Sequence, residues 1–218
     1  MAQIYQSPFD NTTVITTTLK QNLTQAIELV LTENKQVLEK ISYSAIELFM
    51  GEITGAERIF VTGEGRSGLV IRMVAMRLIH LGYQINVLSD TTILSLKKSD
   101  LLIAFSGSGS TSSVTTMAAK VKNIGAHLVV VTTQPESVLG KMADVLIEIR
   151  AAAKQSNSNQ QSKQFSDSLF EQSTLFLFDA IFHVLADNWN NSADRMLALD
   201  TNIIQCLCHF LKIQNTTT

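Results

Sequence analysis

The sequence predicts an α/β fold: a three-layer sandwich around a five-stranded parallel sheet of order 2-1-3-4-5, with an N-terminal helical arm and C-terminal helices. Three observations carry that expectation. The apolar runs LLIAF (101–105), LVVV (128–131) and VLIEI (145–149) are continuous, as strands covered on both faces require. Strand and helix patterns alternate from residue 58 to 150, which calls for a parallel sheet with right-handed crossovers. Strand, glycine-rich loop and helix also follow one another twice, in RIFVTGEGRSGLVIRMVAMRLIHLG (58–82) and LLIAFSGSGSTSSVTTMAAKV (101–121).

Taken in order, residues 1–15 are polar, with Pro8 and a threonine-rich patch, and read as a loosely held arm. From Leu19 to Phe49, Leu23, Ile27, Val30, Leu31, Val37, Leu38, Ile41, Ala45 and Ile46 recur at three- and four-residue spacing, predicting one long or two shorter amphipathic helices. The strands are expected at Arg58–Thr62, Gln84–Leu88, Leu101–Phe105, His127–Val131 and Asp144–Ile149, with helices at Ser67–Leu81 and Thr111–Ile124, the latter stopped by Gly125. Residues 151–167 form a polar low-complexity loop, a lid or a linker by its length. The segment from Leu169 to Leu185 is apolar on most faces and should be buried in the core or in a subunit interface. A last helix is expected from Ser192 to Leu211. One domain accounts for 1–218: helical arm 1–55, α/β core 58–150, loop 151–167 and C-terminal helices 168–211.

Composition excludes several functions. A net charge of -2 and a pI near 6.1, with no basic stripe, argue against binding nucleic acid by phosphate neutralisation. Cys206 and Cys208 are too close for an ordinary disulfide and lack further zinc ligands, so buried thiols in a reducing cytoplasm are expected. The N-terminus has no signal-peptide pattern, and no apolar run approaches the ~20 residues that span a bilayer. A cytoplasmic protein without a membrane partner is the resulting expectation.

In an open parallel sheet, ligands sit beyond the carboxyl ends of the strands where strand order reverses. That point lies between the first and third strands, whose loops are GEGRSG (63–68) and SGSGSTSS (106–113). Gly65, Gly107 and Gly109 let backbone N–H groups approach an anion, helix N-termini favour it, and Ser67, Ser106, Ser108, Thr111 and Ser112 supply hydroxyls, with Arg66 as a counter-charge. The same residues also suit plain turns and N-caps, but two loops converging at one point favour phosphate binding. With no loop lysine and no dinucleotide fingerprint, a small phosphorylated metabolite fits better than a nucleotide. Glu64 is the discordant residue, a carboxylate in an anion-binding loop.

For acid–base chemistry Glu171 is the candidate, because an apolar helix start would raise a carboxyl pKa toward neutrality. Ser168-x-x-Glu171 is also a capping-box pattern, and spacing alone favours that reading. His80 precedes Gly82 at a helix end, where it can interact with the helix C-terminus. His127 and His183 read as strand-edge and core histidines and His209 as a tail one.

Together, GEGRSGLVIRMVAMRLIHLGY, SGSGSTSSV followed by AAKVKNIGA, VTTQPESVLGKMAD, and SLFEQ ahead of an apolar helix resemble the 6-phospho-3-hexuloisomerases of the sugar isomerase (SIS) domain family, over residues 58–190. The resemblance implies a five-stranded α/β sandwich, a homotetramer, and interconversion of 3-hexulose 6-phosphate and fructose 6-phosphate without metal or organic cofactor. It implies that Ser67, Ser106, Ser108 and Thr111 hold the phosphate, that Glu171 shuttles a proton through a cis-enediol, and that His80 assists at the sugar oxygens. The chain departs from the family's usual pattern at Glu64, at Ser110, at Phe165-Ser166-Asp167 and at Asp200-Thr201-Asn202-Ile203-Ile204. Two other readings follow from these departures: a phosphosugar sensor without catalysis, and an isomerase of another sugar phosphate such as arabinose 5-phosphate.

Overall fold

In the computed structural model of the chain, residues 15–88, 90, 95–151 and 162–188 are described. Two helices precede the sheet, α1 (Ile15–Leu38) and α2 (Tyr43–Gly55), so the amphipathic region is broken in two. The break has a local cause. Ser42 is extended, and its hydroxyl accepts a hydrogen bond from the Ala45 N–H at 3.3 Å, capping α2.

The strands β1 (Ile59–Gly63), β2 (Ile85–Val87), β3 (Leu101–Phe105), β4 (His127–Thr132) and β5 (Val145–Glu148) form one parallel sheet in the expected order β2-β1-β3-β4-β5. Register from Ile59↔Leu101 to Gly63↔Phe105 sets the carboxyl ends of β1 and β3 side by side. The remaining helices are α3 (Gly65–His80), α4 (Ser112–Ile124), α5 (Val138–Met142) and α6 (Ser168–Asn188).

Strand side chains alternate between two apolar layers. Ile59, Val61, Leu101, Ile103, Phe105, Val129 and Val131 pack with buried residues of α2, α3 and α6, whereas Phe60, Leu102, Ala104, Leu128 and Val130 pack with α4 and α5. The aromatic centre of the first layer is Phe178, with its ring 5.3 Å from Phe49 and 5.0 Å from Phe105. At the amino ends of β1 and β3, Arg58 grips Asp100 through two bonds of 3.0 and 2.6 Å, and the Lys97 N–H adds a third to the carboxylate.

Several expectations need correction. The α5 turn was not foreseen: VLGKM is too short to show a period, yet Ser137 caps it by accepting from the Gly140 N–H at 3.1 Å. His183 is exposed on α6, not in the core. The stretch Ser168–Asp187 is long and apolar enough to cross a membrane by length and composition, contrary to the expectation, and half of it is buried inside the fold. Residues 1–14, residues 152–161 of the polar loop, the expected helix 192–211 and both cysteines lie outside the described residues.

Candidate active site

Both expected loops sit at the switch point. The first is unusually tight: a Cβ on Gly68 would lie 2.6 Å from the Gly63 carbonyl oxygen, so α3 starts almost on top of the end of β1. Gly65 (φ 56°) makes the turn, and Ser67 follows within the first helical turn.

The second loop is held by its neighbours. The Gly107 carbonyl accepts from Thr132 Oγ1 at 3.1 Å, Thr133 Oγ1 at 2.9 Å and the Thr133 N–H at 3.1 Å, which fastens it to the end of β4. Ser106, almost fully buried, accepts from the Gly109 N–H at 3.1 Å and lies 3.0 Å from Thr111 Oγ1. Gly109 adopts φ 61° against Ser137, and its carbonyl accepts from the Leu139 N–H at 3.1 Å. The unforeseen α5 therefore buttresses this loop. Ser108 turns toward Ser110, whose N–H and hydroxyl donate at 3.3 and 3.1 Å. Thr111 and Ser112 open α4, whose N-terminal end favours an anion.

Two side-chain links join the loops to their surroundings. The Glu64 carboxylate accepts from the Ser113 hydroxyl at 2.8 Å, bridging the first loop to α4. The Arg66 guanidinium is ion-paired with Glu171, bridging the first loop to α6. Glu171 is only 7% exposed, while the Arg66 side chain is 63% exposed. The capping-box alternative for Glu171 is not realised. Helix α6 already includes Ser168, whose hydroxyl donates to the Phe165 carbonyl at 2.7 Å, and the Glu171 N–H bonds to Asp167.

Gly65, Arg66, Ser67, Ser106, Gly107, Ser108, Gly109, Thr111, Ser112 and Glu171 thus come to one end of the sheet. His80 does not. It is the last residue of α3, fifteen positions after Gly65, or about 22 Å along the helix axis. It is buried at the far end.

Helix α1 also reaches this end, which the sequence did not suggest. Asn34, 2% exposed, donates to Gln172 Oε1 at 2.7 Å and accepts from Ser173 at 2.8 Å, fixing the turn that carries Glu171. The adjacent Glu33 accepts from Ser162 Oγ at 2.7 Å, the Lys163 N–H at 3.0 Å and Gln164 Nε2 at 3.0 Å. Burial pushes the Glu33 pKa up, but these bonds and the Lys163 charge outweigh it and leave the carboxyl below its ordinary value. A signal was present in principle, since Glu33 and Asn34 are polar residues on a helix with an apolar stripe.

Among the described residues, no three of His, Cys, Asp or Glu gather as a metal site would need. A cavity of about 230 Å³ lined by Glu52, Asp100 and His127 opens at the amino ends of β3 and β4, away from the loops. The loops, and not this cavity, lie at the switch point, where anion-favouring helix ends converge.

Comparison with known proteins agrees with this geometry. A family profile described as SIS domain matches residues 52–183. The 3-hexulose-6-phosphate isomerase of Mycobacterium gastri is 36% identical over 182 residues, covering 84% of this chain and 92% of that protein. The 3-hexulose-6-phosphate isomerase of Bacillus subtilis (strain 168) is 33% identical over 181 residues, covering 83% and 98%. A hypothetical protein of Methanococcus jannaschii, whose crystal structure led to an inferred function of 3-hexulose-6-phosphate isomerase, superposes with a TM-score of 0.71 at 28% identity, covering 83% and 99%. With that profile covering more than half of its length, and with paired glycine and hydroxyl loops at the reversal of its sheet, the chain belongs to the SIS domain family.

Proposed function

We propose that the protein is a phosphosugar isomerase that interconverts 3-hexulose 6-phosphate and fructose 6-phosphate. The observation that carries this reading is the placement of Glu171, a nearly buried carboxylate held by Arg66 beside two hydroxyl-rich loops at the switch point. The similarity to named 3-hexulose-6-phosphate isomerases supports the choice of sugar.

In this reading the phosphate rests on hydroxyls of Ser67, Ser106, Ser108, Thr111 and Ser112 and on N–H groups of Gly65 and Gly107, while Gly109, whose N–H is taken by Ser106, shapes the loop. Glu171 takes the proton from C2 of the 3-ketose, the C–H electron pair forms the C2=C3 double bond of a cis-enediol, and the C3 carbonyl oxygen gains a proton. Return of the carbon-bound proton to C3, with loss of the O2 proton, leaves the 2-ketose. Arg66 positions the carboxylate. The reaction as written uses no metal or organic cofactor. His80 does not reach the loops of its own chain, so its part at the sugar oxygens requires a second copy.

A homo-oligomer, up to a tetramer, is part of the proposal. Leu19, Leu23, Ile27 and Leu31 on α1, and Leu69, Met73, Met76 and Ile79 on α3, form exposed apolar stripes that a second copy would cover. Under this reading the protein works in the cytoplasm on a charged metabolite, with no nucleic acid or membrane partner.

The Glu64 carboxylate beside the phosphate loops favours a second reading, a phosphosugar sensor without turnover. A coupled assay on 3-hexulose 6-phosphate decides between them: conversion to fructose 6-phosphate is expected. Thermal stabilisation by phosphosugars without conversion would support the sensor, and a substrate panel including arabinose 5-phosphate would expose a different sugar.

A further inference from the structure

Glu64 is the N-cap residue of α3, but its side chain makes no capping bond to that helix. Its Oε1 instead accepts from the Ser113 hydroxyl at 2.8 Å, across the gap between the two loops. Both side chains are exposed, so the bond competes with water and adds little to folding stability. No cation offsets the charge: Arg66, two residues on, is engaged by Glu171, and among the described residues Glu64 has no ion-pair partner.

A carboxylate in this position acts on a ligand in two ways. It lies over the first turn of α4, where a phosphate is expected, and repels a second anion there. It is also already accepting a hydroxyl hydrogen bond, and replacing the Ser113 hydroxyl by a ligand hydroxyl conserves that bond.

We propose that Glu64 is a specificity-determining residue of this site. Its carboxylate takes a hydrogen bond from a hydroxyl of the sugar chain in place of Ser113, and it disfavours phosphates that bring no such hydroxyl. The preferred ligand class is a polyhydroxylated phosphate monoester over inorganic phosphate. This assignment rests on the reading that the loops hold a sugar phosphate.

Isothermal titration of inorganic phosphate and fructose 6-phosphate into the wild-type chain, Glu64→Ala and Glu64→Gln tests it. In Glu64→Ala inorganic phosphate should bind about fivefold tighter, since a nearby like charge is gone. The repulsion is common to both ligands and cancels in their affinity ratio. The preference for fructose 6-phosphate over inorganic phosphate should therefore fall about threefold, since the ligand hydroxyl replaces the Ser113 bond and only the net gain is lost. Glu64→Gln, which keeps an acceptor but no charge, should tighten phosphate equally and lose less of the ratio. If both ligands shift by one factor in Glu64→Ala, the assignment of Glu64 is overturned while the sugar-phosphate reading stands. A wild-type chain that binds neither ligand overturns both.

Discussion

Glu171 owes its position to residues far from it in the chain. Arg66 pairs with it from 105 residues away, and Asn34 fixes the same helical turn through the neighbouring Gln172 and Ser173. Replacement by Gln keeps the shape of the side chain and removes the base, so Glu171→Gln should bind fructose 6-phosphate but lose about a hundredfold or more in turnover. Titration beside the coupled assay reads the two effects separately, and unchanged turnover would remove Glu171 from its role. Phe170, next to it and 1% exposed, lies against the second loop: a Cβ added to Gly107 would sit 3.3 Å from its ring. Phe170→Ala should lower stability by about 3–5 kcal/mol in urea unfolding. Gly107→Ala should lower it by about 1–3 kcal/mol and reduce turnover, because the ring and the α6 turn behind it must move. The sequence made Glu171 a candidate, although the Ser168-x-x-Glu171 spacing alone favoured a cap over a base. The start of the helix at Ser168 and the long-range Arg66 pairing argue against the cap, and the base role belongs to the proposal. Glu64 was visible as an anomaly, but its Ser113 partner was not, since loop-to-loop contacts have no local period.

Helices and strands were legible to the degree that their signal is local. The five strands stand within a residue or so of their expected bounds; burial on both faces writes a continuous apolar run into the central β3 and β4, whereas the edge strand β2 is only half-buried. Helix α5 was hidden by its length, and the α1–α2 break needed the Ser42 cap to be seen. The distance of His80 from the loops was legible by counting along α3, although the resemblance drew both into one site. The clasp between α1 and residues 162–164 was not legible at all, and it carries a pH dependence. Glu33 has its carboxyl held below the ordinary 4.5, so the stabilisation it brings is present above that unfolded value and is lost as pH falls through the lower folded value. Amide-exchange protection at Lys163 and Gln164, taken relative to the intrinsic rate at each pH, should therefore fall on acidification below pH about 4.5. In Glu33→Gln the protection should already be low at neutral pH, and an unchanged profile in that variant would show that the clasp contributes nothing.

Across the whole molecule, the two exposed apolar stripes on α1 and α3 exceed the scattered apolar residues of an ordinary surface. Light scattering should report an assembly larger than one chain, and Leu23→Glu with Ile27→Glu should reduce its mass. A monomer at micromolar concentration would count against the proposed oligomer. The sheet itself is fastened at the end opposite its chemistry. Arg58 and Asp100 lock the amino ends of β1 and β3 together, about 16 Å of strand away from the Gly63 and Phe105 pair. Strand register is thus held independently of what the loops at the other end contain. The exposed loop positions are free to vary while the packed glycines are not, which gives a physical reason why a chain can carry Glu64 and Ser110 in an otherwise ordinary framework. Exchanging 63–68 or 106–113 for the loops of a relative should alter ligand choice without unfolding the protein, so new sugar preferences can arise on this scaffold one loop at a time.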